Sequence, residues 1–435
     1  MSIASQFKTW YNNPSVRSVG IYTFTNFLSK AVSFLLLFVF TNPVYISPSE
    51  NGLLSLFSTS IIFLMPFLSM GIVHSVSADY YKMGKEEFRD FFTSGFIIPL
   101  VVMMIASAVL FFFRDSLQSV YGFPPSFIWL IPAVTFLIFC NEQLLSMARN
   151  NNETGVYFRA NIGKTILEFG LSFVLVVGLA YRWEGRLAGI LVAYLFLAAY
   201  AVWYFKSKGY FFGKLKMKFI RSELLYAIPI IALQASIFSM NASDKFFLSH
   251  FTTDNNETVG VYSIACVFAS VVNILSMALL QYFFPKIYAT LSKSAVDYLS
   301  LRKMFISYTV IMFAGLALTI ICTPVLYHFF INARYHEALK YNYLICIGMF
   351  LWSMSYFFYS FLLYNKEKGK LLGLSICCII TSVGCNYFFI RSGSAYGAAL
   401  AGCISYSMVF MISLIFTRPY WRQFLPFPKT TGSSV

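Results

Sequence analysis

Charge is what this chain has least of. Asp, Glu, Lys and Arg make up 11% of its 435 residues, where an ordinary soluble domain carries about 25%. So few charges cannot cover a water-facing surface. Acidic groups are scarcer than basic ones, 17 against 32. The four histidines, at positions 74, 250, 328 and 336, are too dispersed to form a metal-ligand set. Eight cysteines occur, Cys140, Cys266, Cys322, Cys346, Cys377, Cys378, Cys385 and Cys403, without a CxxC pair. All fall in apolar stretches and read as small buried hydrophobes rather than a redox or metal site. No phosphate-binding loop, dinucleotide fingerprint or nucleophile elbow is present, so the chain itself shows no nucleotide-driven motor, and neither cofactor nor metal is expected. Long polar segments are also missing, which leaves no room for a nucleic-acid module despite the pI near 9.3.

What remains is hydrophobic: 58% of the residues, with a mean hydropathy of +0.70. The apolar residues fall in blocks of roughly 20 to 27, the length a helix rising 1.5 Å per residue needs to cross a bilayer core. Runs such as AVSFLLLFVF and LSFVLVVGLA are apolar on every side, which excludes the alternating strands of a membrane barrel. The expectation is an all-α polytopic membrane protein with twelve transmembrane helices near 17–40, 52–78, 92–113, 126–148, 157–180, 186–205, 223–249, 259–285, 304–327, 341–363, 371–390 and 395–416. Residues 1–11 read as a short cytoplasmic lead-in, not a cleaved signal.

The cations orient this array. Odd-numbered connections carry six Lys and Arg, among them Arg182 and Arg186, whereas the opposite side carries twenty-three. Short loops rich in Lys and Arg stay inside, so both termini are placed in the cytoplasm. The net charge of +15 then becomes a basic ring at an anionic leaflet.

The longest connection, 206–222 (KSKGYFFGKLKMKFIRS), divides the chain into an N-terminal six-helix bundle, 1–205, and a C-terminal one, 223–416, followed by a cytoplasmic tail, 417–435. A faint repeat accompanies the division. Gly185, Gly189 and Tyr194 recur as Gly397, Ala401 and Tyr406, each 212 residues later, in GRLAGILVAY and GAALAGCISY. Small residues one turn apart let helix backbones approach closely, and duplicated halves are a habit of secondary transporters.

Polar groups inside the spans are the candidate functional residues, because a charge facing lipid is costly unless it snorkels. Lys30 lies near mid-depth with Asn26 one turn before it, and serves either a cavity or a snorkelling, structural role. Lys164 and Glu168, spaced i,i+4, form either a structural ion pair or part of a cavity. Asn241 shares a face with Lys245, while Asp244 is placed to anchor a helix end. Glu142 sits toward the inner end of the fourth span, and Arg149 and Arg159 bracket the inner loop NNNETGVY. A cavity lined by such cations favours an anionic cargo, especially a phosphate or diphosphate. The pattern N-x-[ST] occurs at Asn152, Asn241 and Asn256. Of these, only Asn256 falls on the outer side.

The segment ASDKFFLSHFTTDNNETVGVYSIACVFAS resembles the bacterial O-antigen and capsule repeat-unit flippases of the multidrug, oligosaccharidyl-lipid and polysaccharide exporter superfamily. Its matching positions are Asp244, Lys245, Gly260, Tyr262, Ala265 and Ala269. The stretch from Arg17 through Ser58 and the late GKLLGLSICC…GSAYGAALAG also fit that habit. The resemblance implies two six-helix bundles around a central cavity that alternates between membrane faces of the bacterial inner membrane. It implies a carrier, not an enzyme, that flips an undecaprenyl-diphosphate-linked oligosaccharide, with Lys30, Arg159, Lys164 and Lys245 contacting the headgroup. Asn26, Glu142, Glu168, Asn241 and Asp244 are left for coupling or structural roles. Expected partners are the lipid-linked oligosaccharide, membrane lipids and polysaccharide-assembly proteins, with no nucleic acid, and the working unit is a monomer. The alternatives are an ion-coupled drug or metabolite antiporter of the same superfamily, and a membrane saccharide polymerase or ligase.

Overall fold

The structure is a computed structural model that describes residues 14–293 and 296–425. Every element is helical: α1 Pro14–Phe40, α2 Pro48–Ser69, α3 Ile72–Asp79, α4 Lys85–Phe112, α5 Arg114–Tyr121, α6 Phe127–Asn150, α7 Thr154–Phe173, α8 Arg182–Ser207, α9 Met217–Ala242, α10 Asp244–Phe251, α11 Glu257–Leu291, α12 Tyr298–Phe330, α13 Ala338–Tyr364, α14 Lys368–Cys385, α15 Arg391–Phe416 and the short α16 Arg418–Trp421. Ten stretches among the described residues are long and apolar enough to cross a membrane. The last, Lys368–Phe416, is 49 residues long and is interrupted at Ser394, whose φ of 49° and ψ of −131° no helix accommodates. A shorter apolar helix, Leu28–Phe40, precedes the ten. The protein is thus an all-α, multi-pass membrane protein.

Two compact units divide the chain. The residues up to Ala235 form the first together with Asp254–Gly260, and Ser236–Thr253 with the residues from Val261 onward form the second. The boundary therefore falls inside α9 and α11.

The repeat seen in the sequence has a structural counterpart. Each of α7 and α14 ends in a five-residue π-helical turn, Val174–Gly178 and Asn386–Ile390, and their starts are 212 residues apart. Such widened turns mark places where a helix must absorb one extra residue. The helix after each folds back on it through glycine. A Cβ on Gly185 would stand 3.1 Å from the Leu175 backbone, and one on Gly189 or Gly397 would overlap the Ser172 hydroxyl or the Phe389 carbonyl. Only hydrogen at these positions allows the contact, which is how lipid-embedded helices gain dispersion energy without a hydrophobic drive.

The stretch 206–222 folds onto the first unit. Tyr210 stacks edge-on to Phe88 at 5.5 Å, and Phe211 sits 5.1 Å from Phe96. Beyond them, the start of α4 captures the backbone. Asp90 Oδ1 accepts from Lys214 N–H at 2.7 Å, Thr93 Oγ1 from Gly213 N–H at 3.0 Å, and Ser94 Oγ from Lys216 N–H at 3.0 Å. Asp90 Oδ2 pairs with Lys216 Nζ at 2.7 Å. Asn151 ties the same end together, donating to the hydroxyls of Tyr204 and Tyr210 and accepting from that of Tyr80.

The start of α11 is the other segment the first unit captures. A Cβ on Gly52 would meet the Asn256 carbonyl and one on Gly260 the Pro48 carbonyl, so the beginnings of α2 and α11 cross backbone against backbone. Asn256 is buried, and its amide donates to Tyr121 O at 2.9 Å. A glycan on that amide would abolish the bond and has no space.

Candidate functional site

In the first unit α7 and α8 bring three charged side chains together. Glu168, 6% exposed, accepts from Lys164 Nζ at 3.2 Å on its own helix and from Arg186 Nη2 at 2.8 Å on the next. Arg186 also donates to Ser172 Oγ at 2.9 Å and lies over the Phe169 ring at 4.6 Å. Lys164 lies 4.9 Å from the centre of the Tyr194 ring. One carboxylate between two cations leaves the cluster with one net positive charge. Inside a membrane this stays affordable because each ion is hydrogen-bonded and two are backed by aromatic faces.

The sequence paired Lys164 with Glu168 correctly in register, but it assigned Arg186 to an outer loop. The tight α7–α8 crossing at Gly185 and Gly189 draws Arg186 inward until its side chain is 16% exposed. Its position one residue after Gly185 in a small-residue motif was the available signal.

The other expected residues are distributed as follows. Lys30 is exposed on α1. Its neighbour Ser29 accepts from Thr165 Oγ1 at 2.9 Å, which seats α1 against α7. The side chain of Asn26 lies outside the described residues. Arg159 is exposed, and its Nε donates to Gly155 O at 3.2 Å within the first turn of α7. Lys245 and Asp244 belong to the second unit, at the start of α10. Asp244 is held rather than free, accepting from Lys245 N–H at 2.9 Å and from Tyr262 OH at 2.6 Å. Asn241 Oδ1 accepts from Tyr406 OH at 3.2 Å, and the same hydroxyl bonds Met240 O at 2.9 Å. The repeat tyrosines Tyr194 and Tyr406 thus each meet an intramembrane polar residue of their own unit.

Glu142 occupies a different place, a cavity of about 350 Å³ within the first unit. The chain reaches this cavity at the break between α2 and α3, where Met70 and Gly71 have φ of 46° and 72°. A Cβ on Gly71 would approach Ile230 of α9 to 2.6 Å, so the left-handed turn and the close approach both call for glycine. Ser69, His74, Arg149, Tyr157 and Gln234 complete the polar lining. Among the described residues, no group of three or more His, Cys, Asp and Glu could hold a metal ion.

No protein-family model matches the chain, and no curated protein resembles it closely enough to align. Solved structures do share its fold. An inward-facing multidrug resistance MATE family transporter of the MOP superfamily aligns with a TM-score of 0.66 at 14% identity, covering 92% of this chain and 96% of that one. The lipid II flippase MurJ in an inward closed conformation aligns with a TM-score of 0.71 at 13% identity, covering 91% and 87%. A MATE protein in a straight conformation aligns with a TM-score of 0.60 at 14% identity, covering 95% and 98%. The likeness spans nearly the whole of each chain and concerns the fold.

Proposed function

We propose that this chain is a carrier, not an enzyme, that moves an undecaprenyl-diphosphate-linked oligosaccharide from the cytoplasmic to the periplasmic leaflet of the bacterial inner membrane by alternating access. Its part in the cell is O-antigen or related polysaccharide assembly. In this reading the chain spans the membrane twelve times in two six-helix halves with both ends in the cytoplasm. The single observation that carries it is the net-positive Lys164–Glu168–Arg186 cluster, lying in a fold shared with a flippase of a lipid-linked substrate.

The physical task is to pass a hydrated saccharide and a charged diphosphate through hydrocarbon, where unmatched polar groups cost several kcal/mol each. Lys30, Arg159 and Lys164 of the first unit and Lys245 of the second are the proposed headgroup contacts. Asn26, Glu142, Glu168, Asn241 and Asp244 support them or couple transport to an ion. A potential negative inside favours outward movement of an anion by about 2.3 kcal/mol per elementary charge per 100 mV. Lipid-linked oligosaccharide, membrane lipids and polysaccharide-assembly proteins are the partners, and the monomer is the working unit.

Reconstitution into vesicles with labelled undecaprenyl-diphosphate oligosaccharide tests this. Leaflet exchange above that of empty vesicles is the expected result, and exchange equal to empty vesicles under several imposed ion gradients rejects it. One observation favours a second reading, efflux of small organic cations: the Glu142 carboxylate faces a cavity. Proton- or sodium-driven efflux of such cations from the same vesicles separates the two.

A further inference from the structure

The cavity around Glu142 has a lining that the anion-binding cluster does not explain. Its polar side chains come from five helices of the first unit: Ser69 on α2, His74 on α3, Glu142 and Arg149 on α6, Tyr157 on α7 and Gln234 on α9. One buried acceptor there lacks a donor: among the described residues Gln234 Oε1 is buried without a hydrogen bond, while the Glu142 carboxylate is exposed and lines the cavity with Arg149 of the same helix. A buried acceptor left unpaired is costly and signals a missing donor.

Three ligand classes can be weighed against this lining. An organic cation would satisfy Glu142 but would enter beside the Arg149 guanidinium. An anion would satisfy Arg149 but would leave Glu142 and Gln234 Oε1 without donors and adjacent to added negative charge. A neutral, hydroxyl-rich group suits both signs, since each hydroxyl donates one hydrogen bond and accepts others. The volume of about 350 Å³ is far more than a single ion needs and lies in the range of small-molecule sites.

We propose that this cavity is a saccharide-recognition subsite, in which Glu142 and Gln234 accept from sugar hydroxyls and Arg149 and His74 donate to sugar oxygens. It rests on the reading of the cargo as a glycolipid and divides the labour within it. The Lys164–Glu168–Arg186 cluster meets negative charge, while the Glu142 cavity selects the sugar. Residues lining this cavity therefore set which oligosaccharide is carried.

The test uses the full chain in lipid nanodiscs and a panel of free neutral and N-acetylated disaccharides, followed by saturation-transfer NMR at millimolar sugar. Tetraphenylphosphonium and inorganic diphosphate serve as comparison ligands. At least one disaccharide is expected to bind. Its affinity should fall about tenfold in Glu142→Leu and in Gln234→Leu, the loss of one or two hydrogen bonds, and stay unchanged in Lys85→Gln, at an exposed cation that begins α4. Val73→Trp, which fills the cavity without removing a polar group, should abolish binding and guards against a folding artefact in the polar variants. Binding of tetraphenylphosphonium or diphosphate at Glu142 with no disaccharide bound overturns the proposal, as does disaccharide binding indifferent to Glu142, Gln234 and Val73. Because free sugar carries no lipid, this outcome is independent of whether lipid-linked cargo is flipped. Sugar binding without flipping would reject the carrier reading alone, and flipping without sugar binding would reject the subsite alone.

Discussion

Arg186 reaches Glu168 across the α7–α8 crossing at 2.8 Å, and the two are joined where the helices touch most closely, at Gly189 against Ser172. Backbone approach and charge pairing depend on each other there. Without glycine the guanidinium would be held away from the carboxylate, and without the carboxylate two cations would be left with no anion between them.

Removal of Glu168 is therefore expected to do more harm than removal of either cation. Glu168→Ala should destabilise the first unit by about 3–5 kcal/mol, the usual cost of stranding a buried charge. Replacing Lys164, Glu168 and Arg186 together by Met, Leu and Met should keep the fold and lose transport. Thermal unfolding in detergent paired with a vesicle flipping assay reads both, and a triple variant that transports normally would make the cluster purely structural.

Lys30→Gln should lower transport while leaving membrane insertion and abundance near those of the parent. Lys30 is exposed on α1 beside the Ser29–Thr165 contact, so its loss strands no ion-pair partner among the described residues. Equal transport at equal abundance would assign it to snorkelling.

At the second fold-back, Gly397→Ala would drive a methyl into the Phe389 carbonyl, whereas Gly384→Ala, on α14, meets open space. The first should cost about 1–3 kcal/mol as overpacking. The second should leave the melting temperature nearly unchanged. Comparable losses in both would remove the close crossing as the cause.

Asp90→Ala should release the 206–222 segment, since its carboxylate holds Lys214 N–H and Lys216 Nζ at 2.7 Å each. Charge-assisted bonds of this kind contribute about 1.5–3 kcal/mol. Faster tryptic cleavage between Lys206 and Lys218 in intact membranes is the expected readout, and an unchanged cleavage rate would mean that the Tyr210 and Phe211 rings alone hold the strap.

Acid should loosen the end of α13. The ion pair with Lys370 at 2.6 Å, with help from the Tyr420 hydroxyl, holds the Glu367 carboxyl below its usual range. A folded-state value below the unfolded one contributes stability above the unfolded value and loses it as pH falls through the folded one. The melting temperatures of the parent and Glu367→Gln should therefore differ at pH 6 and converge as the pH drops below about 4. A constant difference across that window would contradict the pairing.

Much of this was already legible in the chain. The apolar blocks, the scarcity of charge and the lack of any polar module made a multi-pass helical protein unavoidable, because lipid forces each segment to satisfy its own backbone hydrogen bonds. The 212-residue repeat was visible in a few glycines and one tyrosine, and the i,i+4 spacing of Lys164 and Glu168 was enough to pair them. These features depend on composition and on spacing along one helix, which a sequence carries directly.

Tertiary structure decided what depends on rotation and close approach between helices. It drew Arg186 from an apparent loop into the Glu168 cluster and buried Asn256 where a glycan acceptor pattern stood. It also gathered His74, Glu142, Arg149 and Gln234 from three helices around one cavity and folded the basic 206–222 stretch onto the first unit. Hydrophobicity places a helix in the bilayer but says nothing of which face turns toward a neighbour. That choice is made by packing, at positions such as Gly185, Gly189 and Gly71 where the absence of a side chain lets one backbone meet another.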